Sequence, residues 1–315
     1  MTERVERLAF FGTPDFALPT LQALVTAGRA PVAVATQPDR PAGRGQKVQA
    51  PVVARWAREQ EIEVWQPARV RDAEAIERVR GLELDLIVVA AFGQIFPREL
   101  LDAPRLGCVN VHASLLPRHR GAAPVQAALL AGDDETGVSI MRMEEGLDTG
   151  PVLLQGRTRI VGNETAGELL PRLAHLGAAL MLEALAGLEA GTLVETPQPS
   201  EGATYAPRVT KEHGRVDWQR PAVAVSRQLR AFSPWPGASA DLANEPIKLL
   251  AGHPLAESSR EPAGSLLGMR NGALAVACGE GTVFGVERLQ RPGRRPLPPD
   301  ELLRGERLGA DARFS

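Results

Sequence analysis

The chain has 315 residues, 44% hydrophobic and 23% charged, an ordinary globular composition that excludes global disorder and by length suggests about two domains. Its two cysteines, Cys108 and Cys278, cannot build a disulfide framework or a Cys-rich metal site, so two reduced thiols are expected. The formal net charge of −2 hides an asymmetry: residues 1–205 hold 20 Lys and Arg against 26 Asp and Glu, and residues 206–315 hold 16 against 12. A basic tail section is compatible with a polyanion partner and equally with chance variation of solvated charge.

The opening "MTERVER" is charged and the apolar run after it is five residues long, which is no signal peptide. No apolar stretch approaches the ~18 residues of a membrane helix. A cytoplasmic protein with no membrane partner is expected. "LAFFG" (8–12) then reads as a buried strand, and "GTPDF" turns into a helix with Thr13 as cap and Pro14 at its first position. Leu18, Leu21 and Val25 keep a helical period that Gly28 ends. "PVAVATQ" (31–37) is a second strand. "PDRPAGRGQKVQAP", rich in Pro, Gly and Arg, is expected as a loop.

Helix follows over 50–61, strand at "EVWQP", helix over 72–82, and a strand buried on both faces at "DLIVVAAF" (85–92). "GCVNVHASL" (107–115) is another strand. Then come a helix at "PVQAALLAGD", strands at "TGVSIMRM" and "GPVLLQGRTRI", and a long helical stretch in which Pro171 is a kink or a break. Alternating strands and helices predict an α/β fold with a doubly wound, mostly parallel, Rossmann-like sheet over residues 1–192. The polar, Pro-rich segment 193–214 reads as a linker. Short strands separated by Gly and Asn predict a small OB-like β-barrel over 215–315.

The first βα turn carries only Gly12 and no GxGxxG, which argues against a nicotinamide dinucleotide. A stronger constellation is Asn110, His112 and Asp148. Residues two apart on a strand point to one face, so Asn110 and His112 project together near a strand's carboxyl end. Asp148 sits in the Gly-flanked loop "MEEGLDTGP", able to swing in. An Asn donates to a developing oxyanion, a His moves a proton, and a carboxylate fixes the His tautomer. With no activated Ser or Cys beside them, direct acyl transfer fits better than a covalent intermediate. Each residue alone is more often structural: a satisfied strand-end group, a turn aspartate, or Ser114 as a turn former. The five His are scattered and no HxxxH or CxxC occurs, so a metal is not expected. Arg40, Arg44 and Lys47 make loop 38–47 either a solvated connector or a basic finger for phosphates.

The stretch "NVHASLLPRHRGAAPVQAALLAGDDETGVSIMRMEEGLDTGPVL" resembles the signature of the formyltransferases that use 10-formyltetrahydrofolate. Three further segments, "FFGTPDFALPTLQAL", "TQPDRPAGRGQKVQAPVV" and "YAPRVTKEHGRVDW" with "LRAFSPWPGA", narrow the resemblance to the branch that formylates methionyl-tRNA. It implies a catalytic triad of Asn110, His112 and Asp148. It implies folate contacts at Phe92, Gly93, Gln94 and Ile95, at Ser114, Leu115, Leu116 and Pro117, and at Glu145, Gly146 and Leu147. Binding of tRNA is implied at Arg40, Arg44, Lys47, Arg208 and Lys211, with Arg44 wedging into the acceptor-stem end.

The departures are Phe92 where Tyr is common, Ala113 for Gly, His119 for an aromatic residue and Arg208 for Lys; none touches the triad. The expected activity is formyl transfer from 10-formyltetrahydrofolate, a co-substrate, to methionyl initiator tRNA by a monomer. Two rivals share part of this pattern: a formyltransferase acting on glycinamide ribonucleotide or an amino sugar, and a non-catalytic tRNA-binding protein.

Overall fold

The computed structural model describes residues 4–42, 47–243, 245–304 and 312–315. The chain divides into two compact units: Met1–Pro124 with Glu135–Arg159 and Leu169–Pro207, and Val125–Asp134 with Ile160–Glu168 and Arg208–Ser315. Of the Pro-rich segment 193–214, residues up to Pro207 group with the first unit.

In chain order the elements are β1 (Leu8–Gly12), α1 (Leu18–Thr26), β2 (Ala33–Ala35), β3 (Arg40–Ala42), β4 (Lys47–Gln49), α2 (Val52–Glu59), β5 (Val64–Trp65), α3 (Ala73–Gly81), β6 (Leu86–Ala90), α4 (Arg98–Leu101), β7 (Cys108–His112), β8 (Arg120–Gly121), α5 (Pro124–Ala131), β9 (Glu135–Arg142), β10 (Val152–Arg159), α6 (Ala166–Ala190) and β11 (Tyr205–Ala206). A seven-stranded sheet runs in the order β10-β9-β7-β6-β1-β2-β5. Its five strands from β5 to β7 are parallel. The last two, β9 and β10, are antiparallel. Strands β1 and β6 are apolar and fully buried, as strands covered on both faces must be. Residues of one parity (Ala9, Phe11, Ile87, Val89, Cys108) pack with Val79 of α3 and Leu100 and Leu101 of α4. On the other face, Gly177 brings α6 close to Val111 and Val138. Helices on both faces make the sheet doubly wound.

Four local expectations differ from the structure. Thr13 does not cap a helix; its hydroxyl is taken by the strand ends, accepting from Gln37 N (3.1 Å) and donating to Phe92 O (3.5 Å). Segment 38–47 is not all loop: Arg40–Ala42 pairs antiparallel with Lys47–Gln49. Arg44 lies outside the described residues. Pro171 does not break α6, which continues through it; in the second turn its missing N–H costs only one backbone bond. By length and composition α6 is long and apolar enough to cross a membrane, contrary to the expectation that no stretch approaches that length. Its stripe Leu169, Leu173, Ala174, Ala178, Met181 and Leu185 is buried in this protein, the pattern of a core helix.

The second unit contains α7 (Ala222–Ala231), β12 (Ala238–Leu242), β13 (Glu245–Ser258), β14 (Leu266–Arg270), β15 (Ala273–Ala277), β16 (Thr282–Gln290) and α8 (Pro299–Arg304). Its antiparallel sheet runs β12-β13-β16-β15-β14. The carboxyl-terminal residues join the two edges: Phe314 bridges Leu242, and Arg313 bridges Ser265. Closing the edges makes the expected barrel and leaves little unpaired backbone. Phe314 is buried, and its ring stacks on Trp218 at 5.3 Å.

Both cysteines are buried, and burial pushes each thiol up to about 12, so neither supplies a nucleophile. A Phe314→Ala variant is expected to lose about 3–5 kcal/mol of second-unit stability, the cost of emptying a buried aromatic site. Hydrogen exchange at the β15 and β16 amides reads this directly; unchanged protection there would show that the terminal segment does not close the barrel.

Candidate active site

The order of the sheet reverses between β1 and β6, and α/β proteins bind ligands outside the strand ends at such a switch point. Here the ends are tightly woven. Gly12 closes β1 where a Cβ would lie 2.7 Å from Ala17 and 3.0 Å from Ala90 O. Past β6 the chain turns through Ala91 (φ 46°) and Gly93 (φ 83°). The carbonyl of Phe92 accepts from Gln37 Nε2 at 3.1 Å and from the Thr13 hydroxyl.

Next to β6, β7 carries Asn110 and His112 on the face of Cys108. Strand β9 is antiparallel to β7 with Val109 opposite Arg142, so the loop after it starts at the far end of β7. That loop folds back over the polar face and brings Asp148 to the pair. Asn110 Nδ2 donates to Asp148 Oδ1 at 3.4 Å, and His112 Nδ1 lies 3.7 Å from Asp148 Oδ2. His112 is 5% exposed, and its Nε2 lies 3.0 Å from His119 O. A carbonyl only accepts, so Nε2 carries a hydrogen and Nδ1 is the nitrogen that exchanges protons toward Asp148. The result is a cluster in which two donors and one carboxylate converge.

Supporting contacts come from two further segments. The turn 113–119 is braced internally: Ser114 Oγ donates to Arg118 O at 2.7 Å, and Ser139 Oγ donates to Ser114 O and accepts from Leu116 N. His119 takes a positive φ of 58°, and its N–H donates to Thr204 Oγ1 at 2.8 Å. β8 pairs in parallel with β11, Arg120 opposite Tyr205 and Gly121 opposite Ala206. Gly121 N donates to Asp148 Oδ2 at 2.8 Å, so this ribbon fixes the carboxylate. From the same stretch before β11, Gln198 Nε2 donates to Asp148 O (2.9 Å) and Gly150 O (2.7 Å).

Asn110, His112 and Asp148 are therefore brought together. Of the expected folate contacts, Gly93, Ile95, Glu145, Gly146 and Leu147 are exposed, and Leu115 and Pro117 are half-buried. Four others point elsewhere. The Phe92 ring is buried in an aromatic cluster, 5.2 Å from Phe11 and 5.9 Å from Phe96. Gln94 turns back to accept from Val70 N at 2.8 Å. Ser114 and Leu116 are buried within their own turn. Arg40 and Lys47 sit exposed on opposite strands of the β3–β4 ribbon, and Arg40 donates to Gln37 Oε1 at 3.2 Å. Arg208 and Lys211 are exposed at the start of the second unit's tail. Gly121, Gln198 and Thr204 were missed, since nothing local in "RHRG" or "TPQPSEGATY" signals a contact across the chain. Among the described residues no three His, Cys, Asp or Glu cluster as a metal site needs.

Residues 6–185 match the formyl transferase family and residues 208–307 its C-terminal domain. The methionyl-tRNA formyltransferase of Halorhodospira halophila is 49% identical over 302 residues, covering 96% of this chain and 97% of its own. That of Pseudomonas fluorescens SBW25 is 50% identical over 307 residues, 98% of this chain and 96% of its own. The chain belongs to the formyl transferase family, among the methionyl-tRNA formyltransferases. Solved structures share the fold at lower identity. One is an N-formyltransferase from Helicobacter canadensis in complex with folinic acid and dTDP-3-aminofucose, with TM-score 0.66, 17% identity, 89% of this chain and 98% of that one. Another is HypX from Aquifex aeolicus in complex with tetrahydrofolic acid, with TM-score 0.61, 18% identity, 94% of this chain and 46% of that one.

In this formyltransferase Gly121 has φ 117°, and a Cβ there would lie 2.6 Å from Ala206 O. Gly121→Ala must strain the backbone and part the β8–β11 ribbon, at a cost of about 1–3 kcal/mol. It is expected to lower the melting temperature and also turnover, because the displaced N–H is the one on Asp148. Thermal denaturation beside a formylation assay checks both; a stable and fully active variant would remove the ribbon from the site.

Proposed function

We propose that this chain transfers the formyl group of 10-formyltetrahydrofolate to the α-amino group of methionine on initiator tRNA. The observation that carries the reading is the convergence of Asn110, His112 and Asp148, in a chain aligned nearly end to end with methionyl-tRNA formyltransferases. The folate-bound neighbours support a folate co-substrate at the same fold.

The chemistry follows from the donors present. The free amine attacks the formyl carbon and a tetrahedral intermediate forms, with negative charge on the formyl oxygen. Asn110 Nδ2 and the Nδ1–H of a protonated His112 donate to that oxygen. Asp148 holds the imidazolium and accepts the proton that the attacking amine gives up, directly or through water. The bond from the formyl carbon to the folate nitrogen then breaks, and that nitrogen takes up a proton, so proton gain and loss balance. The amide product keeps the new carbon–nitrogen bond. No covalent enzyme intermediate is needed, which agrees with two buried, protonated cysteines.

The folate rests against the turn after β6, the 114–117 turn and the loop before Asp148, through backbone and through Ile95, Leu115 and Leu147 rather than through the buried Phe92 ring. The segment 38–47, with Arg40, Arg44 and Lys47, and the carboxyl-terminal stretch 206–315, with 16 Lys and Arg against 12 Asp and Glu, supply affinity for tRNA phosphates.

Formylation by the purified protein with 10-formyltetrahydrofolate tests the reading, with methionyl initiator tRNA, methionyl elongator tRNA, glycinamide ribonucleotide and a nucleotide-linked amino sugar as parallel acceptors. Turnover on the initiator is expected to exceed the others, and His112→Ala to cut it by about 100-fold or more. Turnover confined to a small amine would overturn the acceptor while keeping the reaction. Arg44→Ala should lower kcat/KM for tRNA and flatten its salt dependence by about one phosphate contact while folate binding holds. Equal losses for both substrates would remove the ribbon from tRNA recognition.

A further inference from the structure

We propose that Gln198 is a positioning residue for formyl transfer: its amide locks the backbone of Asp148 in the conformation that aims the carboxylate at Asn110 and His112. This rests on the reading of Asp148 as a reacting-site carboxylate.

Asp148 occupies the left-handed region, with φ 53°. An aspartate reaches this region at a cost of order 1 kcal/mol and keeps it only where its surroundings over-determine it. Three donors do so. Gly121 N–H holds Oδ2 at 2.8 Å. Gln198 Nε2 spans the residue itself and the turn beyond, donating to Asp148 O at 2.9 Å and Gly150 O at 2.7 Å. Asn110 adds a longer bond to Oδ1. Gly150 is packed so closely that a Cβ would lie 2.1 Å from Arg142 O, so the turn has little room to readjust.

The orientation of the amide is itself fixed. Gln198 Oε1 accepts from Arg120 Nε at 3.0 Å, and Arg120 is 7% exposed. Turning the amide over would set its oxygen against two carbonyl oxygens and its NH2 against an N–H, losing all three bonds. One two-residue strand, β8, thus holds the aspartate twice, directly through Gly121 and through Arg120 by way of Gln198. The stretch around Gln198 is anchored as well, since Thr196 exchanges both backbone bonds with Val152 at 2.8 and 2.9 Å. Gln198 touches no reacting atom; without it the Asp148 backbone loses the two bonds that hold it at positive φ, and relaxation toward negative φ moves its carboxylate away from Asn110 and His112. Misplacement by about 1 Å costs on the order of 100-fold in rate.

The test compares Q198A and Q198E with the parent and with D148N in the formylation assay. Q198E keeps the volume and the acceptor for Arg120 but offers no donor to the two carbonyls. Both Gln198 variants are expected to lose about 10- to 100-fold in kcat, with KM for 10-formyltetrahydrofolate and for methionyl-tRNA within about twofold. Should Q198A fail to fold, Q198E carries the test. Parental kcat in a folded Q198E, or a loss carried wholly by KM, overturns the positioning role. D148N separates the two failures: if it is inactive while Q198E is fully active, only the role of Gln198 falls, and if D148N is itself active, the reading of Asp148 falls with it.

Discussion

The site depends on how one aspartate is held. Asp148 sits in a backbone conformation that its residue type does not prefer; its carboxylate is tied to Gly121 of β8, and its carbonyl and the following turn are both tied to Gln198. An unsupported aspartate on the nine-residue connection from 143 to 151 would sample many orientations. Here the donors come from β8 and from the stretch before β11, neither of which is near Asp148 in sequence. Preorganisation of this kind is what lets a small cluster of neutral and charged groups stabilise a transient oxyanion.

That arrangement follows from a change of strand direction. Five parallel strands place their carboxyl ends on one edge, where β1 and β6 make the switch-point crevice. The sheet then turns antiparallel at β9. The antiparallel register puts the end of β9 beside the start of β7, and the connection to β10 folds back so that Asp148 meets Asn110 and His112.

The turn between β7 and β8 shows how a polar segment can be used without being exposed. Ser114, His119 and Arg120 are buried, and their polar atoms meet backbone or amide partners. His119 contributes its carbonyl, which orients His112, rather than its ring. Residues that look like substrate contacts by composition are here part of the wall that positions others.

The sequence by itself determined the alternation of elements, the buried central strands and the small β-rich second unit. All rest on local periodicity, which the chain carries in every window. It also determined that Asn110 and His112 share a face, because two residues apart on a strand leave no other choice. Asp148 was a candidate from its Gly-flanked loop, but such an aspartate is by itself more often a turn residue, and the resemblance weighed in its favour. Tertiary structure alone decided what surrounds them. The Phe92 ring turned inward because an aromatic cluster was waiting for it, Thr13 left its helix to tie strand ends, and Gln198 in a Pro-rich stretch became the clamp on a residue fifty positions earlier. Such pairings depend on which distant segments the fold brings within about 3 Å, and no local pattern of side chains encodes that distance.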